Sequence, residues 1–197
     1  MEHSVSVKDL KIRYLQKGTG APVVLFHGYS FSADTWVETG LFNALARDYC
    51  VYSFDMPYGI KSRSDKLDTE NREHYAEFVH DLLKTLVIHT PSLIGASISG
   101  EVTLRYLIGG HSAQAAIVIG PAGMNALAGQ LGRITTPLLG IWGDQDTISP
   151  PSHAELIREH VKNAEVRIIE GAGHACYLDE PGIFMKIVKG FLQRVSA

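Results

Sequence analysis

Only two cysteines occur in the 197 residues, Cys50 and Cys176, and neither belongs to a CxxC or zinc-finger spacing. Their scarcity excludes a disulfide framework and a thiolate metal site, and it suits a reducing compartment. Cys50 opens the apolar run Val51-Tyr52-Ser53-Phe54 and reads as a small buried hydrophobe. No apolar stretch reaches the roughly 18 residues of a membrane-spanning helix. The N-terminal segment is too charged and too weakly apolar to read as a signal peptide. Basic residues are equally unclustered: 18 Lys and Arg stand against 21 Asp and Glu, for a net charge of -3. Without a basic footprint, nucleic acid is not an expected ligand. Repeats and low-complexity linkers are lacking too. These absences predict a cytoplasmic protein free of the membrane, forming one domain over residues 1–197, as a monomer or small homo-oligomer.

What is present is an alternation of short apolar runs with amphipathic stretches, within an ordinary 45% hydrophobic and 20% charged composition. Ser4–Val7 and Lys11–Leu15 read as a hairpin around Lys8-Asp9-Leu10. Strands are expected at Pro22–Phe26, Cys50–Phe54, Ser92–Gly95, Ala115–Ile119, Leu138–Trp142 and Val166–Ile169. Helices are expected from about Ala33 to Arg47, Asn71 to Leu86, Ser97 to Ile108, Ser152 to Val161 and Ile183 to Val195. The second carries Tyr75, Phe78, Val79, Leu82, Leu83 and Leu86, spaced three and four apart. Ser152-x-x-Glu155 has the form of a capping box. Such alternation predicts a mostly parallel sheet with helices on both faces, and such sheets bind ligands at the carboxyl ends of their strands.

Four segments at expected strand ends carry chemistry. Gly95-Ala96-Ser97-Ile98-Ser99-Gly100 has a serine between strand and helix, flanked by small residues, as a tight elbow presenting a nucleophile requires. A plain small-residue turn would look similar. Trp142-Gly143-Asp144-Gln145-Asp146 offers two carboxylates; Asp146 is the better partner for a histidine, because Asp144 lies nearer the strand and suits ordering the turn. Gly171-Ala172-Gly173-His174 brings a histidine on a glycine-rich loop. His153 and His160 lack a third residue spaced to complete a metal site. The order Ser97, Asp146, His174, each past a strand, is that of an α/β-hydrolase triad. His27-Gly28-Tyr29-Ser30 completes the set. The amides of Tyr29 and Ile98 are candidate oxyanion donors, each worth on the order of 3 kcal/mol in the transition state. The His27 imidazole is expected to pin the loop.

Taken together, His27-Gly28, Asp55-Met56-Pro57-Tyr58-Gly59 with Ser62, the Ser97 elbow, Gly143-x-x-Asp146-x-x-x-Pro150 and Gly173-His174 resemble the α/β-hydrolase superfamily over nearly the whole chain. Phe26-His27-Gly28-Tyr29-Ser30-Phe31 and Gly171 to Asp179 resemble the small cap-less members of the CIB type. The resemblance implies an eight-stranded sheet whose second strand is antiparallel, with Ser97 as nucleophile, Asp146 as acid and His174 as base. Two positions depart from the pattern: Ser99 stands where glycine is usual, and Tyr58 replaces the glycine of Asp-x-Pro-Gly. Only Gly120 to Thr136 separates two neighbouring strands, too little for a cap domain. An open pocket shaped by Tyr29, Phe31, Tyr58, Met124, Ile148 and Tyr177 is therefore expected.

The implied activity is carboxylesterase-like hydrolysis of small-molecule acyl esters, with no metal or organic cofactor. Three alternatives stay open: acyl transfer or deacetylation, including perhydrolysis, with the same triad; carbon–carbon bond hydrolysis or dehalogenation; and a retired hydrolase serving as a binding or signalling module.

Overall fold

A computed structural model describes residues 1–196. The hairpin consists of β1 (Glu2–Val7) and β2 (Leu10–Lys17), closed by Lys8 and Asp9 at φ 47 and 67. Two left-handed residues in succession are what a tight two-residue hairpin loop requires. The remaining strands are β3 (Pro22–Phe26), β4 (Cys50–Phe54), β5 (Ser92–Ala96), β6 (Ala115–Ile119), β7 (Leu138–Gly143) and β8 (Ala164–Ile169). They form one eight-stranded sheet in the order β1-β2-β4-β3-β5-β6-β7-β8. Strand β2 runs antiparallel to both neighbours, and every other pairing is parallel.

The central strands are apolar on both faces because both are covered. Val24, Phe26, Leu93, Ala116, Val118 and Leu138 join a core with α3 (Arg72–Thr85), α4 (Ile98–Ile108) and α6 (His153–His160). Their neighbours in sequence, Val23, Leu25, Ile94, Ala115, Ile117, Ile119 and Leu139, join a second core. That one packs on α1 (Thr35–Glu38), α2 (Leu41–Leu45), α7 (Cys176–Asp179) and α8 (Pro181–Ser196). Helix α3 shows how sequence sets these layers. Asn71 caps it by accepting the Glu73 amide at 3.0 Å, and Tyr75, Phe78, Val79, Leu82 and Leu83 bury its inner stripe.

Two local expectations are corrected, and the absence of a cap over residues 120–136 is observed as expected. The helix expected over residues 33–47 is two short ones, because Gly40 adopts φ 79 and breaks the run between α1 and α2. Ser152 precedes α6 without capping it: at φ -59 and ψ -23 it is already helical, and its side chain makes no cap bond. Residues 120–136 form α5 (Met124–Leu127) and a 3₁₀ turn (Ala128–Arg133). Met124, Leu127 and Leu131 are buried in the α4 core, so the segment lies down against the body and raises no cap.

Among the described residues no helix is long and apolar enough to cross a membrane. Strands β3, β5, β6, β7 and β8 all point the same way, so their C-terminal loops share one edge of the sheet.

Candidate active site

Ser97 follows β5 at φ 56 and ψ -116, a conformation that non-glycine residues rarely adopt. Strain of this kind, about 1–3 kcal/mol per residue, persists only where surrounding structure over-determines it. Here the Ser97 amide donates to the Ile119 carbonyl at 2.8 Å, and its own carbonyl accepts from Glu101 and Ala122. Gly28 lies across the turn, where an added Cβ would sit 3.6 Å from that of Ser97.

His174 meets Ser97 from the loop after β8. Its Nε2 lies 2.9 Å from Ser97 Oγ, and its Nδ1 lies 2.8 Å from Asp146 Oδ2. A carboxylate only accepts, so Nδ1 carries the proton and Nε2 is free to accept from the serine hydroxyl. Asp146 is buried, and its other oxygen accepts the Ile148 and Ser149 amides at 2.9 Å each. Three donors therefore hold the carboxylate in one orientation. Asp144 does different work, accepting the Gly171 amide at 2.8 Å to join the two loops. Asp179, at the end of α7, accepts the Gly173 amide at 2.8 Å within the His174 loop's own segment.

The opposite wall is built on His27. Its Nε2 accepts the Met56 amide at 2.9 Å, which leaves Nδ1–H to donate to the Gly28 carbonyl at 2.8 Å. Burial lowers its pKa below the ordinary imidazole value, so the ring is held neutral. Asp55 fixes the far end of the same loop: it accepts the Ala33 amide at 2.7 Å and is paired with Arg13 at 3.0 Å. Among the described residues, neither the Tyr29 nor the Ile98 amide donates to a protein acceptor. Neither amide is therefore committed within the protein.

A cavity of about 210 Å³ opens between these walls, lined by Gly28, Tyr29, Phe31, Ser97, Ile148, His174 and Tyr177 among others. Phe31 packs edge-on against Tyr177, with ring centroids 6.1 Å apart. At the mouth, Tyr29 and Ile148 are 54% and 69% exposed. Two residues expected in the wall do not reach it. Met124, the first residue of α5, is fully buried in the core, and Tyr58 turns inward to place its hydroxyl 2.5 Å from Ser99 Oγ. A larger hollow of about 770 Å³ between β8 and α8 contains none of the candidate chemical groups. Among the described residues, no three His, Cys, Asp or Glu side chains gather to hold a metal ion.

Gly120, just after β6, is a site residue that motif reading missed. It adopts φ 46, and a Cβ there would stand 2.9 Å from Asp146 Oδ2 and 3.2 Å from His174 Nδ1. No side chain fits over that hydrogen bond. The only trace in sequence is a glycine-proline pair after an apolar run, a pattern shared with ordinary turns.

A family model described as "Alpha/beta hydrolase family" matches residues 23–140, and a second, "alpha/beta hydrolase fold", matches residues 122–181. The chain belongs to the alpha/beta hydrolase family. This alpha/beta hydrolase is 33% identical over 179 residues to protein ABHD14A of Danio rerio, covering 88% of this chain and 65% of that one. It therefore spans about two thirds of the length of that relative. It is 30% identical over 197 residues to ABHD14B of Rattus norvegicus, whose name proposes a protein-lysine deacylase, covering 96% and 93%. The crystal structure of a CIB-like hydrolase from Thermoplasma acidophilum superimposes with a TM-score of 0.92 at 27% identity, covering 98% of each chain.

Proposed function

We propose that the protein is a serine hydrolase that cleaves short acyl esters through an acyl-enzyme on Ser97. The supporting observation is the unbroken Asp146–His174–Ser97 hydrogen-bonded line at the floor of an accessible cavity. His174 Nε2 takes the Ser97 proton as Oγ adds to the acyl carbon, and Asp146 stabilises the imidazolium that results. The tetrahedral oxyanion is received by the Tyr29 and Ile98 amides. The histidine then protonates the departing alcohol, and water activated by the same ring releases the acid. A cavity of about 210 Å³ falls below the roughly 300–1,000 Å³ of sites for drug-sized ligands, which favours a short acyl group.

Turnover of p-nitrophenyl acetate tests the reading. Ser97→Ala should cut kcat by about 10³-fold or more while leaving the thermal unfolding profile unchanged. Labelling of Ser97 by a fluorophosphonate should disappear in the same variant. Full activity in Ser97→Ala overturns the assignment, and an unreactive Ser97 favours a binding module.

Similarity to the rat relative along nearly the whole of both chains supports a second reading, in which the acyl donor is the side-chain amide of an acylated lysine. The same groups serve both, with the leaving amine taking the proton from His174. Parallel assays on an acetyl-lysine peptide and an acetate ester separate the two.

A further inference from the structure

We infer that Tyr58 and Ser99 are positioning residues that clamp the two halves of the oxyanion hole together, a role resting on the proposed hydrolase reading. Ser99 sits two residues past Ser97 in the first turn of α4, fully buried. Its Oγ lies 2.5 Å from the carbonyl oxygen of His27 and 2.5 Å from the Tyr58 hydroxyl. The carbonyl only accepts, so Ser99 gives it its single proton, and Tyr58 must then donate to Ser99 Oγ. Burial pushes the Tyr58 phenol above its usual range, so it remains a neutral donor. The result is a directed line, Tyr58 O–H to Ser99 O–H to the His27 carbonyl.

The Ser99–His27 link in that line joins the two segments that carry the candidate oxyanion amides. Ser99 follows Ile98 directly, and the His27 carbonyl belongs to the strand end that carries Gly28 and Tyr29. The hydroxyl thus bridges α4 to the loop after β3, two segments that chain connectivity leaves independent. Tyr58 is itself seated edge-on against Tyr75 at 4.8 Å, and its turn is tied to the same histidine through the Met56 amide. The glycine usual at position 99 offers no hydroxyl, and the glycine usual at position 58 offers no donor to orient one. The two departures from the motif are therefore one device. Errors of about 1 Å in such donors cost on the order of a hundredfold in rate, so a partial loosening is expected to cost less.

The test compares Ser97→Ala, Tyr58→Phe, Ser99→Ala, Ser99→Gly and the double variant Tyr58→Phe/Ser99→Ala on p-nitrophenyl acetate. Each protein's inhibition by a short-chain trifluoromethyl ketone is measured alongside. Ser97 Oγ adds to the ketone carbon with its proton passing to His174, leaving a hemiketal oxyanion in the hole. We expect kcat to fall about tenfold in Ser99→Ala and about threefold in Tyr58→Phe, with KM within twofold. The ketone's inhibition constant should rise by the same factors, and the double variant should match Ser99→Ala alone. A purely structural role would lower the melting temperature without moving kcat and ketone affinity together. Wild-type kcat and ketone affinity in Tyr58→Phe and both Ser99 variants overturn the inference, as do effects that multiply in the double variant. Turnover that survives Ser97→Ala overturns the proposed function as well, which distinguishes the two failures.

Discussion

The two walls of the cavity are built on opposite principles. On the His27 side, polar groups are buried and saturated: imidazole, carbonyl, serine hydroxyl and phenol each have a partner inside the protein. On the Tyr29–Ile148 rim, large side chains stand half or more in solvent, and among the described residues the Tyr29 hydroxyl has no hydrogen-bond partner. Buried polar groups are costly unless satisfied, so the first wall has one arrangement it can keep. The rim loses little by moving. Under the proposed hydrolase reading, the difference divides the site into a part that sets where charge develops and a part that sets what is admitted.

The sharpest way to break the fixed part of the site is on the Asp146–His174 pair that faces the His27 wall, at Gly120. An alanine there meets the Asp146–His174 hydrogen bond directly and is also strained by φ 46. Gly171 serves as its control, with φ 75 and open space where a Cβ would go. Gly120→Ala should lose about a hundredfold in kcat for an acetate ester, whereas Gly171→Ala should keep it. Gly171→Ala should lose about 1 kcal/mol of stability in urea titrations, from forcing a side chain into the left-handed region, and Gly120→Ala should lose more because the clash adds to that strain. Equal activities in the two variants would show that strain alone governs, and that the hydrogen bond has room to spare.

That contrast also marks where sequence reading reached its limit. Strand ends could be located from apolar runs, and with them the loops bearing Ser97, Asp146 and His174, which the structure links in a line through contacts of 2.8 and 2.9 Å. The mostly parallel sheet followed from the alternation of apolar runs and amphipathic stretches, its eight strands and antiparallel second strand from the family resemblance, and all of these are observed. Depth was not legible. Tyr58 and Met124 were expected in the cavity wall because they follow strands at the correct edge, yet one turns inward to Ser99 and the other opens α5 and is buried in the core. Ser99 and Tyr58 read as two separate irregularities, since a contact between residues 41 apart leaves no periodic trace. The break at Gly40 was hidden for a related reason: the apolar spacing continues across it, and only backbone conformation shows the turn.

His27 offers a milder probe of the buried wall through pH. Burial depresses its folded-state pKa below the unfolded value near 6.5. The unfolded chain therefore binds the extra proton first. The stability tied to a neutral His27 is complete above about pH 6.5 and is lost as pH falls below it, at up to about 1.4 kcal/mol per unit. His27→Gln removes the titration and keeps an acceptor for the Met56 amide. The stability gap between wild type and variant should narrow from pH 7.5 to pH 5, measured by urea midpoints. A constant gap would mean that the imidazole is not held neutral by its surroundings.

The rim should respond least, and selectively. Ile148 lines the cavity but is 69% exposed, so it covers only the outer part of a bound acyl chain. An acetyl group carried on Ser97 is too short to gain much from it, while a butyryl group extends toward the mouth. A buried methylene is worth about 0.8 kcal/mol, and partial burial leaves a fraction of that. Ile148→Ala should therefore lower kcat/KM for p-nitrophenyl butyrate about threefold and leave the acetate ester nearly unchanged. Equal losses on both esters would place Ile148 with the buried wall as part of the catalytic geometry. A loss on neither would mean that the acyl chain leaves the cavity by another side, along Phe31 and Tyr177.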